Sequence, residues 1–362
     1  MSTLDTCPCG SSDKALRRGL CRKCRKSAAA LITTDRDQLK SKGEIATLRL
    51  KYSEALRRVE ALEQSQETVT ALRKGLSPML IEPKFGKGTS EATAVMVASD
   101  WHIEERVDPA KINFVNEANL EINTARAERF FQSGIRLIDL LKQDVKIPTI
   151  VLPLLGDFIT GQIHGAENAE VNQLTPTEAT LYAQNLIVGG IQFMLSRHEG
   201  DIVVVCHSGN HARTSHQNRL NGQENGHSYE YLMYRSLAKE FKNESRIRFE
   251  IAEGYHTYLP IYDKVVRFHH GHRLRYGGGR GGLFTPTYTS IDDWNKTKRA
   301  DLDVFGHFHQ LRDGGNFICN GSLIGYNAYA ESIKAHFEPP RQTLFLMDKK
   351  RGRTCTWPIL LS

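Results

Sequence analysis

Apolar positions along this chain change their period partway through. Between residues 31 and 76 they recur every three and four residues: Ile45, Leu48, Tyr52, Ala55, Val59, Leu62 and Val69, with Gln66 in the same series. Charged residues fill the positions between them, Pro is absent, and Gly occurs only at Gly43 and Gly75. This is an a/d seam, and it predicts a coiled-coil helix over 31–76 that joins two protomers as a dimer. A single helix folded back on the rest of the chain is the other reading. Residues 77–90, with Pro78, Pro83, Gly86 and Gly88, have the composition of a linker.

From residue 91 the pattern alternates between short β-branched runs and longer stretches of helical period. Strands are predicted at 94–97, 149–155, 201–206, 264–269 and 302–305, and helices at 124–142, 175–197 and 228–242. Such alternation predicts an α/β domain over 91–362 built on a central sheet. The stretch after Gly315 reads as short strands without long helices, so part of the sheet is expected to be antiparallel.

The chemistry sits where these strands stop. The first ends in Ser99-Asp100-Trp101-His102, and residues two apart at a strand end are expected to project to one side and share a ligand. The next four are followed by Gly156-Asp157, by Ser208-Gly209-Asn210-His211, by His270-Gly271-His272 and by Gly306-His307-Phe308-His309. Several strand ends converging on one point is how open α/β sheets build sites. Carboxylates with neutral imidazoles suit Mn²⁺, Fe or Zn²⁺. One carboxylate bridging two divalent cations about 3.5–4 Å apart would let them clamp a phosphate and activate water near neutral pH. His269 is expected to point away from His270 and to be structural, whereas His272 is placed to line the site. His207 reads as a packing residue, and His164, His216, His227 and His256 as surface.

Asp100-x-His102, Gly156-Asp157, Gly209-Asn210-His211, His270-Gly271 and Gly306-His307-x-His309 together resemble the five ordered motifs of the calcineurin-like metallophosphoesterase superfamily. The resemblance covers roughly residues 93–325. It implies a β-sandwich flanked by helices, with sheets of mixed direction. It also implies that Asp100, His102 and His309 bind one metal, that Asn210, His270 and His307 bind the other, and that Asp157 bridges them. His211 would be the general acid. Many members carry Asp or Glu after the Asn-His pair, where this chain has Ala212-Arg213. Arg213 is therefore expected to hold a phosphate oxygen in place of orienting the His. After Asp157 the chain reads Phe158-Ile159-Thr160-Gly161, without the Asp-Arg-Gly continuation of the Ser/Thr protein phosphatases. The loop Gly277-Gly278-Gly279-Arg280-Gly281-Gly282 has neither P-loop nor dinucleotide spacing.

Charge and cysteines bear on the partner. Of seven cysteines, Cys206, Cys319 and Cys355 are isolated and read as core thiols, while Cys7, Cys9, Cys21 and Cys24 form two close pairs within residues 1–30. These four fit a structural Zn²⁺ module; a tail with free thiols is the alternative. Lys14, Arg17, Arg18, Arg22, Lys23, Arg25 and Lys26 cluster there without an acid, and the net charge is +7. Phosphate contact with nucleic acid, DNA above all, would use that cluster; a solvated basic face is the other reading. Absence of a membrane-length apolar run and of a signal-peptide core leads to the expectation of a cytoplasmic protein, in the host cytoplasm if phage-encoded, with no membrane partner. The chain resembles the phage-type, DNA repair exonuclease-like members of the superfamily. The reaction expected is metal-dependent phosphodiester hydrolysis by a nuclease, with phosphomonoester hydrolysis as the alternative. A non-catalytic nucleic-acid-binding protein with a vestigial site is the third reading.

Overall fold

The computed structural model describes residues 22–75, 90–163, 170–215, 225–277, 282–332 and 335–362. Two compact units divide the chain between Lys84 and Phe85. In the first, one helix, α1, runs from Arg22 to Gly75. It begins earlier than the hydropathy pattern predicts, because Arg22 to Ala30 is rich in Arg, Lys and Ala, all strong helix formers. Ile45, Leu48, Tyr52, Val59, Leu62 and Val69 on its predicted seam are exposed. Cys24 lies on this helix, whereas Cys7, Cys9 and Cys21, and with them the expected zinc module, lie outside the described residues, as does the predicted linker up to residue 89.

The second unit contains two sheets. In the larger, strands β1 (Ser90–Val97), β2 (Val145–Leu154), β3 (Asp201–Cys206) and β4 (Ile247–Ile251) run parallel. The smaller contains β5 (Thr257–Ile261), β6 (Lys264–Phe268), β7 (Leu302–Phe305), β8 (Arg312–Asp313) and β9 (Phe317–Cys319), in the order β5-β6-β7-β9-β8. Strands β6, β7 and β9 are mutually parallel, and antiparallel strands flank them. An antiparallel hairpin, β10 (Arg341–Asp348) and β11 (Gly352–Leu360), completes the larger sheet beside β1. These two strands are longer than the short ones expected, and Pro358, which lacks an N–H for a ladder, is accommodated because β11 is an edge strand.

Strand alternation divides the core. Ala94 and Met96 of β1 join Leu152, Val204 and the apolar faces of three helices, α2 (Leu120–Leu141), α3 (Pro176–Arg197) and α4 (Tyr229–Glu240). Val95 and Val97 point the other way, with Val151 and Val205, onto Leu259, Val266, Phe268, Val304 and Ile318 of the smaller sheet. The outer face of that sheet, through Phe305 and Phe317, packs on α5 (Phe284–Asn295). The layers are thus helix, sheet, sheet, helix, which agrees with the expected sandwich of mixed sheets. Each fully buried Val or Leu between the sheets contributes roughly 1.5–3 kcal/mol relative to exposure. Helix α2 starts at Leu120, four residues before its predicted start, because Asn119 caps it by accepting from the Ile122 N–H at 2.9 Å. Thr175 and Glu178 form a capping box at the start of α3.

This topology sets the site. The C-terminal ends of β1, β2 and β3 lie side by side in one sheet, and those of β6 and β7 lie side by side in the other. The loops leaving all five carry the residues singled out from the sequence.

Candidate metal centre

Strand β1 stops at Val97, and Asp100 and His102 are not on extended backbone. Their φ angles are 54° and 46°, so left-handed turns, not the strand's period of two, set where the two side chains lie. Between them Trp101 is fully buried among Phe130, Phe131 and Phe158, its ring edge-on to Phe158 at 4.9 Å. Anchoring Trp101 in the helix-side core turns its two neighbours toward the other sheet. Asp157, His307 and His309 also have positive φ, at 53°, 71° and 54°. Five of the eight described non-glycine residues with positive φ are therefore in this cluster, each costing roughly 1–3 kcal/mol of backbone strain.

The loops after β2 and β3 pass backbone against backbone. A Cβ on Gly156 would meet the Gly209 nitrogen at 2.2 Å, and one on Gly209 would meet Asp157 Oδ1 at 2.0 Å. Only glycine fits at either point.

Three overlapping groups of ligand atoms result, each within 4.8 Å: Asp100, His102 and His309; His102, Asp157 and His211; Asp157, His270 and His307. Asp157 belongs to two of them. His102 Nε2 and His309 Nε2 are 3.1 Å apart, and Asp100 Oδ1 is 3.5 Å from the latter. On the other side His270 Nε2 lies 2.9 Å from Asp157 Oδ2 and 3.1 Å from Asn210 Oδ1. The outer ring nitrogens are engaged as well. His270 Nδ1 donates to the Leu155 carbonyl at 2.6 Å, and His211 Nδ1 donates to the Thr160 carbonyl at 2.9 Å. His102 Nδ1 is 3.1 Å from Thr160 Oγ1. Such bonds leave the Nε2 lone pairs facing inward, the arrangement in which a metal-binding imidazole is held. A buried set of carboxylate, amide and imidazole acceptors aimed at one another is repulsive unless a cation or proton lies among them. The donor set fits divalent cations.

Titration reflects this crowding. Burial, and then the neighbouring His211 and His309, holds His102 well below the usual imidazole range, and burial lowers His309 to about 4. Burial also takes His307 well down. All three are neutral at pH 7, the form in which an imidazole can accept a cation. Burial opposes charge on His270 too, but Asp157 and Asp100 beside it raise it to about 9, so that without a cation its Nε2 carries a proton toward Asp157, which a bound cation would displace. Burial would raise Asp157, yet His270 and His211 hold it well below the usual carboxylate range. Asp100 is pushed up to about 7 by burial.

Two carboxylates that sequence reasoning missed brace the loops. Glu230, on α4 and fully buried, accepts from the Phe158 N–H and the Gly209 N–H, both at 2.7 Å, and so ties the two glycine-flanked loops together. Burial and the Asp157 charge push it up to about 8. Glu104 accepts from the Thr160 and Gly161 N–H groups at 2.8 and 2.9 Å. Neither has a spacing signal, because each is recognised only by the backbone it meets across the fold.

The remaining candidates fall into place around the cluster. Arg213 donates from Nε to the Asn210 carbonyl at 2.8 Å, so it supports the loop that carries Asn210 and His211. His269 is fully buried, stacks on Phe305 at 5.0 Å, and faces Asp303 rather than the cluster. His272 is half-buried, with its ring 5.6 Å from that of His270. His207 is 3.0 Å from Thr257 Oγ1. His256 is half-buried, not surface, because Trp294 of α5 packs edge-on against its ring at 4.5 Å. Cys206 and Cys319 are fully buried, and Cys355 is half-buried. His164, His216 and residues 278–281 of the glycine loop lie outside the described residues.

No protein-family model matches the chain, and no curated protein matches it. Solved structures share its backbone path more loosely. Vacuolar protein sorting 29 from Cryptosporidium parvum is 14% identical over 74% of this chain and 97% of its own, with a TM-score of 0.30. A hypothetical protein from Pyrococcus horikoshii OT3 is 11% identical over 74% and 87%, with a TM-score of 0.34. A dimetal phosphatase from Danio rerio is 10% identical over 75% and 99%, with a TM-score of 0.33. Scores this low leave the chemistry to the side chains of this chain.

Proposed function

We propose that the protein is a dinuclear-metal phosphoester hydrolase acting as a nuclease on DNA. The observation that carries the hydrolase reading is Asp157, shared between the ligand group with His270 and His307 and the group with His102 and His211. Asp100, His102 and His309 would hold one cation, Asn210, His270 and His307 the other, with Asp157 between. Two bound divalent cations, Mn²⁺ favoured, would supply Lewis acidity and neutralise the phosphate charge.

The chain's own residues do the rest. His211 is positioned by the Thr160 carbonyl, and its side chain is 21% exposed, so its Nε2 can reach a leaving oxygen at the mouth of the cluster and protonate it. Asp157 Oδ1 accepts the His211 N–H at 2.9 Å and holds that residue beside the centre. Asp100 accepts the His307 N–H at 2.9 Å, which joins the loops of the two sheets.

A DNA substrate is supported by the net charge of +7 and by Arg273 and Arg275, exposed in the loop that follows His270. The dimer is read from the exposed α1 seam. Cysteine spacing supports a structural Zn²⁺ on Cys7, Cys9, Cys21 and Cys24. Among the described residues no helix is long and apolar enough to cross a membrane. The test is cleavage of labelled single- and double-stranded DNA with Mn²⁺, beside a phosphomonoester, with an identically prepared Asp157→Ala protein as control. DNA cleavage lost in the variant supports the nuclease; monoester cleavage with DNA left intact moves the assignment to a phosphatase.

A further inference from the structure

A cavity of about 360 Å³ opens directly beside the metal centre, with His307 and His309 forming part of its wall. Its other walls are not those of a phosphate site. Leu274 and Leu283 are buried at its base, and Tyr276, Phe308, Tyr326 and Tyr329 present aromatic surface to it. The Phe308 ring packs edge-on to His307 at 5.0 Å and lies 6.4 Å from the Tyr276 ring, so the aromatic wall is continuous with the ligand set. Tyr276 and Tyr329 are 58% and 64% exposed, although each carries a large apolar ring that burial would stabilise.

Aromatic rings left open beside a centre that handles phosphoesters suit a flat π-system attached to that phosphate. The size lies in the range of pockets that enclose a small organic group. An acyl chain is less well matched, because the wall combines tyrosines with Gln310 and His336 rather than hydrocarbon alone. We propose that this cavity is a nucleobase subsite, which stacks one base of the substrate while its phosphate lies against the His307–His309 side of the centre. The subsite rests on the reading of the neighbouring cluster as a phosphoester site. It adds to that reading a place on the protein for one base of the substrate, next to the reacting phosphorus.

Binding tests this without turnover. Equilibrium dialysis of the full-length protein, with and without Mn²⁺, would compare deoxyadenosine 5′-monophosphate with deoxyribose 5-phosphate, which has the same phosphate and no base. The nucleotide should bind about tenfold more tightly, the effect expected of one stacked base. In Tyr326→Ala and Tyr329→Ala that ratio should fall toward one; Tyr329 is exposed, so its replacement leaves the core intact. Equal binding of the two ligands by the wild type overturns the subsite, and so does a ratio unchanged in both variants. A protein that keeps the tenfold ratio yet cleaves nothing would retain the base site and lose only the hydrolase reading.

Discussion

His270 Nδ1 donates to the Leu155 carbonyl at 2.6 Å, and that single bond crosses from the smaller sheet to the larger. It fixes the ring so that Nε2 faces Asp157 and Asn210. The candidate metal centre is thereby tied to how the two sheets sit against each other.

Removing the shared carboxylate should therefore remove metal as well as activity. Mn²⁺ at about a hundred times its dissociation constant should stabilise the wild type by about 2.7 kcal/mol, visible as a rise in thermal midpoint that a chelator reverses. Asp157→Ala should show no such rise and should lose activity. A full shift in the variant would mean that Asp157 is not a ligand.

His211→Ala separates an acid from a ligand. With the acid role, kcat should fall by about 10²–10⁴-fold while metal content, measured by atomic emission, stays at the wild-type level. Loss of a cation would instead assign His211 to the group it forms with His102 and Asp157.

Glu230→Gln keeps the shape of the brace and changes its chemistry. An amide offers one acceptor where the carboxyl offers two, so an N–H of Gln would face the N–H of Phe158 or Gly209. Stability in urea should drop by about 1–3 kcal/mol. An unchanged midpoint would show that the two loops hold without it.

Asp303 gives a test away from the centre. Its oxygens take both Arg267 Nε and Nη2, at 2.6 and 2.9 Å, with both side chains almost fully buried. Asp303→Asn leaves the guanidinium without a counter-charge and should cost about 3–5 kcal/mol in chemical denaturation. Burial would raise the Asp303 carboxyl, but His269 and Arg267 hold it below 3.8. Its folded pKa is thus lower than its unfolded one. The stabilisation is complete at pH values well above 3.8 and is lost as pH falls below that, through the folded value. Acid titration of the variant should lack this component.

The α1 seam predicts self-association. Leu48 and Leu62 are 64% and 68% exposed, so Leu48→Asp with Leu62→Asp should disturb nothing but a partner helix. Sedimentation equilibrium should show a dimer for the wild type and a monomer for the double variant; a monomeric wild type would sink the coiled coil.

What was legible in the sequence is instructive in its limits. Strands β3 and β7 lie where their β-branched runs predict, and the five motifs that follow strands do meet at one end of the two sheets. Local order sufficed because parallel neighbours bring their C-terminal ends together whatever the details. The backbone at Asp100 and His102 was misread, since hydropathy carries no sign of a left-handed turn at a non-glycine residue. Glu104 and Glu230 were invisible for another reason: their partners are main-chain N–H groups, which leave no mark in side-chain sequence. The aromatic cavity gathers Tyr276 and Phe308 with Tyr326 and Tyr329, positions that no spacing rule connects.

The left-handed turns at Asp100, His102, Asp157, His307 and His309 have one more effect. A detached segment of this chain would not hold those angles, so ligand geometry exists only while both sheets are closed on each other. If the cluster holds cations as proposed, their release becomes a clock for the opening of the sandwich: a metal-sensitive dye added to the loaded protein would report how often the two sheets part, under conditions where almost every molecule is folded.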